Sequence, residues 1–173
     1  MAAGRAEPGP RRIACLAVTD GGQLLAARLA AVLPDATLIA TRSGLVAEVA
    51  RLWPAYDGLV FVMAAGAVVR LIAPLVADKE RDPAVVVVDE QGRFSVSLLS
   101  GHLGGGNQLA RTVADILGGQ AVITTASDVL GHTALDLWAR GLNLVVEERS
   151  ALTRASAALV NHGRVRLHAD MPP

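Results

Sequence analysis

Short runs of apolar residues constrain the fold of this chain more than any other feature of its sequence. Ile13 to Val18 (IACLAV), Leu59 to Met63 (LVFVM) and Ala84 to Asp89 (AVVVVD) are apolar almost throughout, without the alternation of a half-exposed strand. A continuous run of this kind is typical of a strand buried on both faces, as in parallel sheets covered by helices. The core is therefore predicted to form around such strands, with helices packed on both sides of them.

Segments with helical spacing separate the apolar runs. Helices are predicted over residues 21–33, 43–53, 67–76 and 104–117. Ser43 is a candidate N-cap for the second helix, and Pro74 should kink the third helix near its end. The regular alternation of strands and helices predicts a parallel sheet with right-handed crossovers.

One segment departs from this alternation. A glycine-containing turn at residues 90–93 joins the strand that ends at Asp89 to an alternating segment over 94–98, which predicts a β-hairpin. Further short strands are predicted at 36–40 and 121–124. The expected fold is α/β, with a mostly parallel, helix-covered open sheet of the three-layer flavodoxin or Rossmann type that contains one β-hairpin.

Three regions are predicted along the chain. Residues 1–12, rich in Gly, Pro and Arg, are expected to form a disordered leader, and residues 13–140 an α/β domain. Residues 141–173 are too few for a domain of their own and are expected to begin a further region. Within that region, strands are predicted at 142–147 and 165–168, and a helix from Ser150 to Asn161.

Charge and cysteine usage exclude several classes of function. Formal net charge is zero, which argues against a nucleic-acid partner, because binding to phosphates needs a basic surface. Cys15 is the only cysteine, so neither a disulfide framework nor a cysteine metal site is expected, and no metal ligands are assigned. No apolar run reaches the roughly 20 residues that span a bilayer, and no signal peptide is recognisable, so the expected location is the cytoplasm, without a membrane partner.

The strongest candidate site lies between the hairpin and the helix that follows it. Glycines in this segment permit close backbone approach, and a helix N-terminus suits a carboxylate or a developing oxyanion. His102 can exchange a proton near neutral pH, while Ser100 and Asn107 can make oriented polar contacts. The same glycines also suit a turn that only lets strand and helix pack. The segment, called the 100–107 loop below, is Ser100-Gly101-His102-Leu103-Gly104-Gly105-Gly106-Asn107.

Other strand ends offer weaker candidates. The small-residue turn ending at Gly66, with Arg70 one helical turn later, could contact an anion, although Arg70 could equally be a solvated side chain. Thr125 and Asp128 could bind a ligand or cap a helix, and residues 19–22 favour helix capping over phosphate binding. In open α/β sheets ligands bind at the carboxyl ends of strands, so the loops after 18, 63, 98 and 124 are the expected binding positions.

Two familiar site types are excluded by spacing. No Gly-Lys-Ser/Thr sequence follows a glycine-rich loop, which excludes a phosphate-binding Walker loop. No Gly-x-Ser-x-Gly sequence is present, which disfavours an ordinary Ser–His–Asp hydrolase.

Three segments together resemble one known family. They are FVMAAGAVVRLIAPLVADKERDPAVVVVDEQGRFSVSLLSGHLGGGNQLAR, AVITTASD and LNLVVEERSALTRASAALVNHGRVRLHAD. The first two are similar to the N-terminal domain of CbiG-type cobalamin-biosynthesis proteins, the cobalt-precorrin 5A hydrolases. The third resembles the start of that family's central region. The family's C-terminal domain has no counterpart here, and such proteins also occur fused to corrin methyltransferases.

The resemblance implies a hydrolase of vitamin B12 biosynthesis. The family opens the δ-lactone of cobalt-precorrin 5A and releases acetaldehyde, giving cobalt-precorrin 5B; the cobalt belongs to the substrate, so no cofactor is expected. His102 is the expected base, with Ser100 as a second proton carrier, and the amides of Gly104 and Gly105 could hold the oxyanion. The expected substrate-binding residues are Gly66, Arg70, Gly101, Gly104, Gly105, Gly106, Asn107, Thr125 and Asp128.

Two alternatives to the hydrolase stay open from the sequence. The chain could be a non-catalytic corrinoid-binding module of a larger or methyltransferase-fused protein, in which a partner domain performs the chemistry. It could also be an unrelated small α/β protein that binds a nucleotide or a flavin.

Overall fold

The computed structural model describes residues 9–40, 44–78 and 80–168. Contacts between Cα atoms divide the chain into two compact units, Met1–Ile123 and Thr124–Pro173. The division between the two units lies earlier in the chain than the boundary near Gly141 that the sequence predicted. The reason is that the last strand of the sheet ends just before Ile123. Ser43, the predicted N-cap, and residues 1–8 of the predicted leader lie outside the described residues.

A six-stranded sheet forms the centre of the first unit, in the order β2-β1-β3-β4-β5-β6. Strands β1 to β4 are parallel, β5 pairs antiparallel with β4, and β6 runs parallel to β5. This arrangement confirms the mostly parallel sheet with one β-hairpin. The strands are β1 (Ile13–Ala17), β2 (Ala36–Ile39), β3 (Gly58–Val62), β4 (Ala84–Val88), β5 (Phe94–Leu99) and β6 (Gln120–Val122).

Helices cover both faces of this sheet. They are α1 (Asp20–Val32), α2 (Leu45–Leu52), α3 (Ala65–Ile72) and α4 (Gly106–Leu117). Alternate residues of each central strand point to opposite faces. Val60 and Val62 join a core cluster with α1 and α4, while Leu59 and Phe61 join a second cluster with α2 and α3. The predicted three-layer architecture is confirmed.

The central strands explain why the apolar runs are uninterrupted. Every residue of β1, β3 and β4 is buried, since helices pack on both sides of these strands. Complete burial of one aliphatic or aromatic side chain contributes about 1.5–3 kcal/mol. Burial of these strands therefore stabilises the sheet, and functional side chains are expected in the connections at the strand ends.

Arg12 belongs to the folded unit rather than to a disordered leader. Its backbone N–H donates to Asp57 Oδ2 at 3.0 Å, and its carbonyl accepts from the amides of Asp57 and Gly58 at 2.9 and 3.0 Å. Burial raises the pKa of Asp57, but hydrogen bonds and charge from Arg12 outweigh burial, so the pKa lies below its usual value. The prediction that the leader extends to residue 12 is wrong at its last residue, because Arg12 is tied to the loop before β3.

Several predicted helix ends and one helical stripe need correction. Helix α3 ends at Ile72, before Pro74, so the proline terminates the helix instead of kinking it. Helix α4 begins at Gly106 instead of Gly104, because the preceding glycines form the loop. Helical spacing predicts that Val32 lies on the inward stripe of α1, but this side chain is 59% exposed, since it lies in the last turn of that helix.

The second unit contains helices and no strands in its described part. They are α5 (Ala126–Val129), α6 (Leu135–Gly141) and α7 (Arg149–His162). The predicted strands at 142–147 and 165–168 are wrong. Asn143 adopts a left-handed conformation (φ +55°), and the Leu144 amide donates to the Ala139 carbonyl at 2.9 Å. These two residues therefore terminate α6 and are not part of a strand.

Helix α7 confirms the prediction of a helix in this region. The Ser150 hydroxyl donates to the carboxylate of Glu148, the residue that precedes the helix.

No described helix of the chain is both long enough and apolar enough to cross a membrane.

Candidate functional site

The 100–107 loop closes on itself through backbone hydrogen bonds. The amides of Gly106 and Asn107 donate to the carbonyls of Ser100 and Gly101 at 3.0 and 2.9 Å, and the Gly105 amide donates to the His102 carbonyl at 2.9 Å. Ser100 (φ +53°) and Gly105 (φ +80°) adopt left-handed conformations that turn the chain from β5 into α4. The loop is therefore a compact, internally bonded turn.

Close backbone contacts explain two of the glycines. A Cβ atom at Gly106 would lie 2.7 Å from the Leu99 carbonyl oxygen, and one at Gly104 would lie 2.5 Å from the Ser100 Cβ. Neither contact can be relieved by rotating a flexible side chain. The packing interpretation left open by the sequence thus accounts for Gly104 and Gly106 without a ligand.

Ser100 anchors the loop to the segment before β4. Its hydroxyl donates to the Asp82 carbonyl at 3.0 Å. Asp82 is buried, and its Oδ2 atom accepts from the amides of Ala77 and Asp78, both at 2.9 Å. The hydroxyl proton of Ser100 is thereby engaged in holding the loop, which leaves its oxygen available as an acceptor.

Ser100 can be compared with Ser95 in a stability experiment. Ser95 lies in β5, and its buried hydroxyl has no hydrogen-bond partner. We expect Ser95→Ala to leave the free energy of unfolding unchanged or to raise it by up to about 1 kcal/mol, because an unsatisfied hydroxyl is removed. Ser100→Ala should lower it by about 1 kcal/mol, since a made hydrogen bond is lost. Urea unfolding of both variants measures the two effects, and equal losses would contradict the assignment.

His102 occupies the tip of the loop and is its only titratable side chain. It is half-buried, whereas Asn107 is 1% exposed and its amide group packs against Gly101. A Cβ at Gly101 would lie 2.6 Å from Asn107 Oδ1, so this glycine makes room for the amide. The loop therefore carries one imidazole, and its other polar side chains, those of Ser100 and Asn107, maintain the shape of the turn.

Hydrogen bonds inside the 100–107 loop occupy one of the amides predicted to hold an oxyanion. The Gly105 amide donates to the His102 carbonyl, and the two following amides donate to loop carbonyls as well. In this conformation the Gly105 amide is not available to a substrate oxygen. Stabilisation of an oxyanion by that amide would require the loop to open.

Strand direction separates the predicted site residues. Because β5 runs antiparallel to β4, Leu99 pairs with Val85, near the start of β4. The 100–107 loop therefore lies at the edge where β1, β3 and β4 begin, while Gly66 and Arg70 follow the end of β3. A strand of five residues separates the two edges by roughly 15 Å. The loop after β3 and the loop after β5 therefore lie at opposite edges of the sheet, because β5 is the antiparallel strand of the hairpin.

Gly66 and Arg70 do lie together at the opposite edge. The Arg70 Nη1 atom donates to the Gly66 carbonyl at 2.8 Å, and both residues are exposed. This contact folds the guanidinium back along its own helix. It leaves a cationic group at the carboxyl end of β3, as the sequence predicted.

The turn after β1 confirms the capping interpretation. Thr19 Oγ1 accepts from the Gly22 amide at 3.1 Å and donates to Glu90 Oε1 at 2.6 Å. Glu90 was interpreted from the sequence only as a hairpin-turn residue. Its carboxylate, together with Asp20, places negative charge at the N-terminus of α1, where a bound phosphate would otherwise be favoured.

Thr125 and Asp128 belong to the second unit. The Thr125 hydroxyl donates to Asp128 Oδ2 at 2.7 Å, and the Thr125 carbonyl accepts from the Val129 amide at 3.1 Å. These contacts place the pair at the start of α5, in agreement with the capping alternative.

Metal and thiol chemistry find no support among the described residues. No group of three His, Cys, Asp or Glu side chains in that part of the chain is arranged to hold a metal ion. Burial raises the pKa of the Cys15 thiol to about 12, so it stays protonated near neutral pH and is a poor nucleophile.

Two family models match this chain. The model described as "Cobalamin synthesis G N-terminal" matches residues 47–128, and the one described as "Cobalamin biosynthesis central region" matches residues 133–172. The first match includes β3 to β6 and the entire 100–107 loop. The second match lies within the second unit.

Curated relatives carry one activity in their names. The cobalt-precorrin-5A hydrolase of Salmonella typhimurium is 43% identical over 172 residues, which cover 93% of this chain and 49% of the relative. The enzyme of the same name from Priestia megaterium is 46% identical over 114 residues, which cover 66% of this chain and 30% of the relative. The chain thus spans about half the length of the first relative and less of the second.

A solved structure agrees with the fold. The crystal structure of a cobalamin biosynthesis protein G homolog from Sulfolobus solfataricus matches with a TM-score of 0.57 and 22% sequence identity. The match covers 94% of this chain and 51% of that chain. At this identity the similarity supports the fold and carries no information on residue roles.

Proposed function

The chain belongs to the CbiG family, and from this premise we propose that it supplies the N-terminal and central part of a cobalt-precorrin-5A hydrolase. The observation that carries the proposal is the 43% identity with the Salmonella enzyme through 93% of this chain. The chain spans only 49% of that relative. The proposal therefore includes the further statement that this part of the enzyme catalyses the reaction by itself.

The proposed reaction is hydrolysis of the δ-lactone of cobalt-precorrin 5A. The oxygen of a water molecule bonds to the lactone carbonyl carbon, the ring C–O bond breaks, and a proton passes from the water to the departing oxygen. The alcohol formed by ring opening then loses its proton, the carbon–carbon bond that joins the two-carbon fragment to the macrocycle breaks to release acetaldehyde, and the macrocycle carbon takes up a proton, giving cobalt-precorrin 5B. Both stages require proton transfer next to the macrocycle.

His102 is the proposed proton carrier. It is the only titratable side chain of the 100–107 loop, and the loop holds its backbone through the Gly105 amide. A positioned imidazole can take the proton of the attacking water and return it to the leaving oxygen. Ser100 acts with it by anchoring the loop to Asp82.

Substrate binding is proposed to use the polar groups around the loop and at the β3 end. The substrate carries many carboxylates, and an exposed guanidinium such as that of Arg70 is a suitable partner for one of them. Because Gly66 and Arg70 lie at the other edge of the sheet, they would contact a different part of a substrate than His102 does, or a second molecule. The cobalt belongs to the substrate, so the protein needs no metal ligands of its own.

A second candidate function is corrinoid binding without catalysis. Two observations favour it: the chain spans half of the Salmonella relative, and the amides of Gly105, Gly106 and Asn107 are engaged inside the 100–107 loop. In that case residues outside this chain supply the catalytic groups, and His102 contributes to binding.

Acetaldehyde release from cobalt-precorrin 5A distinguishes these functions. We expect the purified chain to bind the cobalt-corrinoid, detected by a change in its visible absorbance, and to release acetaldehyde, detected by a coupled dehydrogenase assay. Binding without release would establish the second function. Binding of FMN or a nucleotide in place of the corrinoid would contradict both.

A further inference from the structure

The second unit exposes an unusual share of its apolar side chains. Among its described residues Ala139 is the one buried hydrophobic residue, at 8% exposure. Large apolar side chains at the surface include Val129, Leu142, Leu144, Val145, Val165 and Leu167. A small unit without its own core needs another surface to cover such residues.

Two of the exposed segments have the pattern of β-strands. In residues 144–147, Val145 is 87% exposed and Leu144 is 50% exposed. In residues 164–168, Val165 and Leu167 alternate with Arg164 and Arg166, so an extended chain would place apolar and basic side chains on opposite faces. Neither segment pairs with another strand in the described structure.

Matched relatives contain additional polypeptide. The Salmonella enzyme is about twice as long as the region that this chain spans. The protein in the Sulfolobus structure is also about twice as long as its matched region, which is 51% of its chain. Both matches include more than nine-tenths of the present chain. Two relatives therefore carry, beside the regions found here, a comparable length of chain that can supply strands and apolar surface.

We propose that residues 144–147 and 164–168 form an interface for the polypeptide that corresponds to the other half of these relatives. That polypeptide adds β-strands beside the two segments, and its apolar side chains cover Val145, Val165 and Leu167. Strand addition satisfies the backbone groups of both partners, and the alternating pattern selects which face is covered. Because Arg164 and Arg166 lie on the other face, acidic side chains are expected beside them on the partner.

Hydrogen exchange tests this interface in two proteins. The first is the present chain, and the second is a chimera in which this chain replaces its matching region in the Salmonella enzyme. We expect amides of 145–147 and 164–168 to exchange rapidly in the chain alone and at least about tenfold more slowly in the chimera. Slow exchange in the chain alone, or equally rapid exchange in both, would overturn the proposal.

Matched lysine variants locate the surface. Val145→Lys should restore rapid exchange at both segments in the chimera, whereas Leu24→Lys, at a position 76% exposed on α1, should not. In the present chain, fluorescence of the apolar dye ANS should fall with Val145→Lys and stay unchanged with Leu24→Lys, a comparison that does not depend on folding of the chimera. Unchanged dye binding in both variants would contradict the assignment. A dimer of the chain that Val145→Lys dissociates would identify a second copy as the partner instead.

Discussion

Replacement of His102 by asparagine is expected to lower acetaldehyde release from cobalt-precorrin 5A by at least about 100-fold, the usual contribution of a positioned acid–base group. Asparagine keeps the size and polarity of the side chain but cannot exchange a proton near neutral pH. The Gly105 amide bonds to the carbonyl of residue 102, a backbone contact that the substitution leaves in place. Loss of rate with an intact fold would therefore report the chemistry of the imidazole.

A second histidine provides the matched control. His162 is exposed at the end of α7, and His162→Asn should leave the rate of release unchanged. Corrinoid binding, followed by visible absorbance, should persist in both variants if His102 acts in proton transfer. A His102→Asn protein that releases acetaldehyde at the normal rate would exclude His102 as the base. Loss of binding together with loss of release would assign it to substrate binding instead.

Gly106→Ala is expected to lower the free energy of unfolding by about 1–3 kcal/mol, the usual range for forcing extra atoms into a packed site. The added methyl group would lie 2.7 Å from the Leu99 carbonyl oxygen and 3.1 Å from the Ser100 carbonyl oxygen. Both atoms are backbone, so the strand end or the start of α4 must move. That movement would also displace the bond from the Gly106 amide to the Ser100 carbonyl.

Gly141→Ala is the corresponding control for added methyl volume. Gly141 is the last residue of α6, and apart from its chain neighbours and its own helix backbone no described heavy atom lies within 4 Å of a Cβ there, so this change should leave stability unchanged or raise it. Urea unfolding gives the two stabilities, and acetaldehyde release by folded Gly106→Ala protein reports the effect on the loop. Equal stability of the two variants would show that the loop accommodates a side chain at 106, contrary to the close contact.

Much of the first unit follows from local pattern. Uninterrupted apolar runs such as AVVVV identify strands that helices cover on both faces, and the turn at 90–93 identifies the hairpin. In the second unit the same reasoning gave two wrong strands. A strand needs a neighbour for its backbone groups, and the described part of this unit contains none.

The candidate site was only partly accessible from sequence. Ser, Gly, His and Asn between a strand and a helix indicated a structured turn with one titratable group, and the structure agrees. The bond between Ser100 and the Asp82 carbonyl joins residues far apart in the chain, and no local pattern indicates it. The hydrogen bond from Thr19 to Glu90 is long-range in the same way.

The sequence by itself determined the layered α/β class, the hairpin, the family resemblance and the presence of His102 in a glycine-rich turn, because each depends on neighbouring residues. Only the tertiary structure showed that the hairpin lies in the central sheet with β4 parallel to β3, which fixes the edge at which that turn lies. The antiparallel pairing of β5 with β4 turns the 100–107 loop away from Gly66 and Arg70. The tertiary structure also decided that the amides of Gly105, Gly106 and Asn107 bond inside the loop, since those bonds depend on how the chain closes between Leu99 and α4.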